Sequence, residues 1–477
     1  MRLRILVIAA LAIPAFATVL WADTGSAAEH GDRVAPILVS LMLIAMGAAV
    51  GGRWMRKMGQ PAVLGELLVG MLAGNLAFYF QEPVITVLRE GETLAAIFEH
   101  AMTQSVSAAE AARKLLPDSE PTRRLVEILG TTRGLAAMTV YQFVDLLARV
   151  AAIVLLFLVG LETSVAEMRK VGATAAVVAV VGVVCPFLLG MGTTILLVPG
   201  AAASKAIFIG AIFTATSVGI TARVFRDLKQ THRTEAKIIL GAAVIDDVLG
   251  LIILAVVSGL VVTGSISFLS VTMITLKSTV FLVGSIGLGV MFTPRFIRRV
   301  ARMDIDNIKL LFGLGFAFLF SWLANVVGLA PIVGAFAAGL VLEEFFLRDL
   351  KGQALREMLS PVESLIVPVF FVLMGLQVKL ETFADTSVIV LAAVLTVAAM
   401  LGKIVSGLPC GRGVDKLSVG IGMMPRGEVG LIFASIGKGL GVVSDAVFSA
   451  VVIMVMLTTL LTPPLLKMTL ARSEARS

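Results

Sequence analysis

Two adjacent acids, Asp246 and Asp247, stand in the middle of the apolar run GAAVIDDVLGLIILAVV. A charge at the centre of a membrane span costs from about 2.5 to more than 10 kcal/mol, so ionisable groups placed there are ion or proton sites by default. Lys403, in AMLGKIVSGL, is a third charge inside an apolar run. An unpaired buried lysine is costly, and a carboxylate is its natural partner. Neighbouring residues on a helix point about 100° apart, so one aspartate can face Lys403 while the other faces a cavity. The chemistry open to such a set is capture and release of a proton or a hard cation by carboxylate oxygens. Gly402-Lys403 is not a nucleotide loop, because Val397 and Ile404 stand where that motif needs Gly and Ser/Thr. Glu66 and Lys277 also fall within apolar runs, but no interrupted helix adjoins them and a structural role suits both.

Two further runs carry polar or helix-breaking residues at mid-depth. IFIGAIFTATSVGITARVF contains Thr214, Thr216, Ser217, Gly219 and Thr221. LSVGIGMMPRGEVGLIFASIG contains Pro425, Arg426, Gly427 and Glu428. Both are candidates for helices broken within the membrane, which survive only where protein or a water-filled cavity satisfies the freed backbone groups. A pair of such segments in the two halves of a chain points to the binding site of an inverted-repeat transporter. The alternative is one kinked helix and one merely glycine-rich helix.

The elements that must position these residues follow from composition. Of 477 residues, 58% are hydrophobic and 15% charged, with mean hydropathy +1.00, which places the chain among polytopic membrane proteins. The net charge of +7 reflects basic loops that set topology rather than nucleic-acid binding. Cys185 and Cys410 do not form a metal cluster pattern, and His30, His100 and His232 all lie in polar stretches. Proton chemistry therefore falls on carboxylates and lysines. Residues 1–28 read as a secretory signal, with Arg2 and Arg4 before the apolar core and Ser26-Ala27-Ala28 after it; a retained extra helix is the alternative. About thirteen spans follow, at roughly 34–51, 61–80, 142–163, 172–198, 203–224, 236–262, 268–292, 307–328, 330–345, 362–379, 386–408, 415–438 and 443–466. Arg and Lys concentrate in alternate loops, placing the mature N-terminus outside and the C-terminus in the cytoplasm. Residues 81–141 form an extramembrane, periplasmic insert of mixed charge. Within it Glu92–Leu116 has helical periodicity, with a stripe through Leu94, Ile97, Phe98 and Met102.

Several of these runs together carry a family resemblance. GQPAVLGELLVGMLAGN at 59–75, LLFLVGLETSVAEMRKVG at 155–172, TATSVGITARVF at 214–225, VIDDVLGLIIL at 244–254, FFVLMGLQV at 370–378, LGKIVSG at 401–407 and MMPRGEVGLI at 423–432 resemble the monovalent cation:proton antiporter superfamily. The Asp-Asp pair is similar to the Kef/NapA-type branch. The resemblance covers most of the chain from about residue 34, apart from 81–141. It implies an all-α polytopic fold of inverted repeats with two crossed broken helices, like that of NhaA and NapA. It also implies a homodimer. Residues 34–80 would open the dimerisation domain, and 263–361 would continue it and link the halves. Residues 142–262 and 362–468 would form the two core repeats, with a short cytoplasmic tail at 469–477. By resemblance Asp247 is the ion-binding carboxylate and Asp246 the partner of Lys403. Thr216 and Ser217 then line the first crossover, and Pro425, Arg426 and Glu428 support the second. The ending ARSEARS leaves no nucleotide-binding domain after the last span, which speaks against a glutathione-gated Kef potassium effluxer.

The reading that unites these features is a secondary antiporter exchanging Na⁺, or Li⁺, for H⁺ across the inner (plasma) membrane, without cofactor. The resemblance implies electrogenic exchange of two protons per sodium. K⁺/H⁺ exchange is the runner-up. A sodium-coupled organic solute symporter and a non-transporting membrane sensor complete the alternatives. No enzyme motif is present.

Overall fold

The structure is a computed structural model. It describes residues 34–80, 83–162, 172–198, 202–263, 308–349 and 355–474, with gaps at 91, 116–119, 218–220, 222–223, 226–229 and 231–232, and scattered positions between 269 and 291. The expected signal at 1–28 lies outside the described residues, as does most of the expected span at 268–292.

Among the described residues every regular element is helical. Among the described residues nine helices are long and apolar enough to cross a membrane, and three shorter apolar helices accompany them at Ala203–Ile212, Pro331–Leu342 and Val429–Gly439. Many carry a stripe of exposed large apolar side chains, such as Val34, Leu38, Met42 and Met46 on the first. In a bilayer such a stripe faces lipid tails and needs no protein cover.

Contacts divide the chain into two units. The first comprises the residues up to Ala151 and Val362–Ala384. It opens with α1 (Val34–Lys57) and α2 (Ala62–Tyr79), joined by a turn in which Gly59 has φ +74°. These helices touch backbone to backbone: a Cβ on Gly51 would sit 2.4 Å from the Gly65 carbonyl oxygen. Small residues allow this approach, and close packing is what associates helices when lipid is as apolar as their side chains. The insert supplies α3 (Pro83–Glu90), α4 (Glu92–Gln104), α5 (Ala108–Leu115) and α6 (Glu120–Leu129).

The helical stretch expected over Glu92–Leu116 is therefore split between two helices, and its stripe residues all fall on α4. Ser105 has φ 54°, and the Ser107 hydroxyl accepts the Glu110 N–H at 3.2 Å, starting α5 in the Ser-x-x-Glu pattern of a helix N-terminus. Leu94 and Ile97 are buried as the stripe requires, but Met102 is 72% exposed. Helix α7 (Thr132–Glu162) starts ten residues before the predicted span at 142, its first turn set by the Thr131 hydroxyl, which accepts the Gly134 N–H at 3.1 Å. Likewise α13 (Leu355–Leu376) starts before the predicted 362.

The second unit, Ala152–Pro361 with Asp385–Ser477, holds α8 (Ala173–Leu197), α9 (Ala203–Ile212), α10 (Thr234–Thr263), α11 (Ile308–Val326) and α12 (Pro331–Asp349). It continues with α14 (Thr386–Val405), α15 (Lys416–Gly422), α16 (Glu428–Gly439) and α17 (Asp445–Glu474). The division into units falls within α7 and α13. Helix α8 packs on α9, α10 and α14, and α17 packs on α14, α15 and α16. Helix α17 runs on to Glu474, so most of the expected tail at 469–477 continues the helix.

Candidate ion-binding site

The two interrupted segments come together in the second unit. Helix α9 ends at Ile212 and 215–217 is non-helical; α15 ends at Gly422 and α16 begins only at Glu428. The freed backbone groups of each break are met by the other. Ser217 N–H donates to the Pro425 carbonyl at 2.9 Å, and the Thr221 hydroxyl donates to the Gly422 carbonyl at 2.6 Å. The Arg426 guanidinium donates to the Ala215 carbonyl. Partners at 215, 217 and 221 thus descend through 426, 425 and 422, so the two breaks cross antiparallel. Gly427 makes the crossing possible, since a Cβ there would lie 2.6 Å from the Ser217 Cβ.

Beside this crossing lies the charge set. Lys403 Nζ donates to both oxygens of Asp246 at 3.1 Å, and both side chains are fully buried. A cation and a carboxylate removed together from water in this way are tolerated because each satisfies the other. Asp247, the next residue on α10, is half-buried and also within the field of Lys403. Thr216 is buried beside the Asp246 carboxyl, yet its hydroxyl makes no hydrogen bond of good geometry among the described residues. Arg426 is wholly buried within the field of Asp246; it also reaches the Ala399 carbonyl on α14, and its own carbonyl accepts the Thr459 hydroxyl of α17.

The structure therefore brings together Asp246, Asp247, Lys403, Thr216, Ser217, Pro425 and Arg426. Glu428 is the first residue of α16, and its side chain lies outside the described residues. Glu66 is buried in the first unit, near Gly52, whose Cβ position is also close to Arg56; Lys277 is exposed. The sequence reading did not single out Thr459, which ties α17 to the second break, or Gly182, which lets α8 approach Lys403. A lone Thr or Gly in an apolar run carries no local signal of such a contact. Among the described residues no group of three or more His, Cys, Asp or Glu side chains is arranged to hold a metal. The oxygen donors available to a hard cation here are the two aspartates, nearby hydroxyls and freed carbonyls.

Membrane-length helices surrounding two crossed, interrupted segments and a buried charge set define a multi-pass membrane protein of the transporter type. The chain belongs to a family described as sodium/hydrogen exchanger, transmembrane, whose model matches residues 38–472. It is 35% identical over 464 residues to the high-affinity Na⁺/H⁺ antiporter NhaS3 of Synechocystis, covering 94% of both chains. It is 33% identical over 336 residues to the Na⁺/H⁺-K⁺ antiporter GerN of Bacillus cereus, covering 69% of this chain and 84% of that one. The fold is similar to that of the sodium proton antiporter MjNhaP1 from Methanocaldococcus jannaschii, with a TM-score of 0.59 and 17% identity over 91% of this chain and 96% of that one.

Proposed function

We propose that this protein exchanges Na⁺ for H⁺ across the membrane by alternating access, with Asp247 as the ion-binding carboxylate and Asp246, Thr216 and Ser217 adding oxygen ligands. The observation that carries the reading is the buried Asp246–Lys403 pair beside the antiparallel crossing, with Asp247 half-buried next to it. A carboxylate in a partly dehydrated cavity holds either a proton or a cation, so the two ions compete for one site. Sodium that draws Asp246 away would deprive Lys403 of its counter-charge, which makes the lysine the source of a second proton and the exchange electrogenic.

The Asp-Asp pair favours the Kef/NapA-type branch of the family. The same reading makes the protein a homodimer in the inner membrane, its N-terminus outside and its C-terminus cytoplasmic. Dimerisation helices would lie at 34–80 and within 263–361, flanking core repeats at 142–262 and 362–468. Arg426, Pro425 and Glu428 support the second crossover, and no cofactor takes part. K⁺/H⁺ exchange is the second reading, favoured by the relative whose name includes K⁺. Proteoliposomes carrying a pH dye, challenged in turn with Na⁺, Li⁺ and K⁺ gradients, test both readings. Na⁺-driven proton flux, with apparent Na⁺ affinity weakening steadily as pH falls, is the expected result. Flux with K⁺ alone would select the second reading, and no cation-driven flux would overturn both.

A further inference from the structure

In the first unit, a cavity of about 270 Å³ opens where the insert meets the end of α2. It is lined by Phe78, Pro83, Thr86, Arg124, Glu127 and Ile128, together with Thr131. That is far more room than one water needs and enough for a phosphate group. Its polar lining is mixed: Thr86 and Arg124 bring donors, Glu127 brings an acceptor, and the Thr131 hydroxyl already donates to the Ile128 carbonyl at 2.7 Å. The Thr86 hydroxyl is buried and has no hydrogen-bond partner among the described residues. Arg89 follows three residues later and so lies on the same face of α3. It is completely buried, 4.2 Å above the Phe78 ring; its Nη2 bonds Asn75 Oδ1 and Glu381, while Nε and Nη1 have no partner among the described residues. Arg124 approaches the same ring from α6, its guanidinium carbon 5.6 Å from the centroid. Buried polar groups are nearly always paired, so the unmet Thr86 hydroxyl and the unmet Arg89 Nε and Nη1 call for an acceptor.

We propose that this cavity binds a phosphate oxyanion, held by the Arg124 guanidinium and the Thr86 hydroxyl with Arg89 behind them. Guanidinium groups match phosphate oxygens through paired, charge-assisted hydrogen bonds. Glu127, exposed at the rim, limits the positive charge, so a singly charged phosphodiester fits better than a phosphate dianion. The two residues after Phe78 suit a lipid source. Tyr79 is 76% and Phe80 57% exposed, and exposed aromatics at the end of a span sit at headgroup level. The phosphate therefore comes from a phospholipid headgroup or from free phosphate in solution.

The test uses the full-length protein and does not depend on its transport activity. In one arm, nanodiscs of phosphatidylcholine with and without phosphatidylglycerol are used to measure lipid retention by native mass spectrometry. In the other, inorganic phosphate alone is titrated calorimetrically into detergent-purified protein. Retention of phosphatidylglycerol, weakened roughly tenfold by Arg124→Gln and by Thr86→Val, supports the lipid source. Phosphate binding weakened in the same way supports the free source. Binding in neither arm, or binding unchanged in both variants, overturns the proposal. Should Arg124→Gln fail to fold, Thr86→Val against Thr86→Ser decides, because only the serine keeps the hydroxyl donor.

Discussion

The Asp246–Lys403 pair occupies one aspartate and leaves its neighbour half-buried, which divides the labour between two adjacent acids. Asp247→Asn keeps the shape of the proposed ion carboxylate but removes its charge. Cation-dependent proton flux should vanish at every pH tested, while the protein still inserts and purifies as a folded species. Retained exchange in that variant would reject the assignment. Lys403→Gln separates the second proton from the first. Exchange that survives in this variant should become electroneutral, so imposing a potassium/valinomycin voltage should alter wild-type flux and leave the variant's unaltered. Undiminished voltage dependence would place the second proton elsewhere. The substitution also leaves Asp246 buried without its partner, a loss of about 3–5 kcal/mol if the carboxylate stays charged. Thermal unfolding should therefore accompany the flux assay. The two aspartates and the lysine are legible in the sequence because charge is rare in apolar runs. Which aspartate meets the lysine is not legible from the residues themselves, since it depends on how α10 is rotated against α14.

At the scale of elements, the two crossovers are held to each other by one backbone hydrogen bond, from Ser217 to Pro425, by the Thr221 and Arg426 side chains on facing carbonyls, and by the absence of a side chain at Gly427. Gly427→Ala places a Cβ 2.6 Å from the Ser217 Cβ, so the segments must part. Such overpacking costs about 1–3 kcal/mol. We expect a lower unfolding temperature and a slower transport rate together; wild-type values of both would show that the crossing is looser than its geometry implies. Helix starts near the site are also fixed by side chains. Asp415 accepts the Leu417 N–H at 3.2 Å and the Ser418 hydroxyl at 2.6 Å, which starts α15 on the approach to the second break. Asp415→Ala should cost about 1 kcal/mol, read as a lowered denaturation midpoint. Asp385 does the same for α14, and its bond to Ser387 holds its carboxyl below the usual carboxylate range. That contribution is present above the usual range and is lost as pH falls through the lowered value. Mid-span hydroxyls with Gly219 marked the first break in the sequence, and Pro425 with Gly427 marked the second. The hydrogen bonds joining them, from residues some two hundred positions apart, had no local mark.

At the scale of the whole molecule, the basic loops predict orientation. In a background with Cys185 and Cys410 replaced by Ser, Lys114→Cys in the insert should react with a membrane-impermeant maleimide on intact cells. Arg412→Cys should react only after permeabilisation. The opposite pattern would invert the topology and with it the direction of the proposed exchange. Membrane class, the rough limits of many of the spans and the two interruptions follow from sequence alone, because a bilayer imposes about 20 apolar residues per crossing and penalises every charge within it. Those constraints act residue by residue along the chain. The crossing of the two breaks and the pairing of Asp246 with Lys403 were implied by the family resemblance and not by the residues alone, whereas the burial of Arg426 against the Ala215 and Ala399 carbonyls and the tie from Thr459 came only with the tertiary structure. Each is a contact between distant segments, and its existence depends on helix rotation and register. Lipid-facing and protein-facing surfaces are equally apolar, so hydrophobic patterning does not encode that rotation.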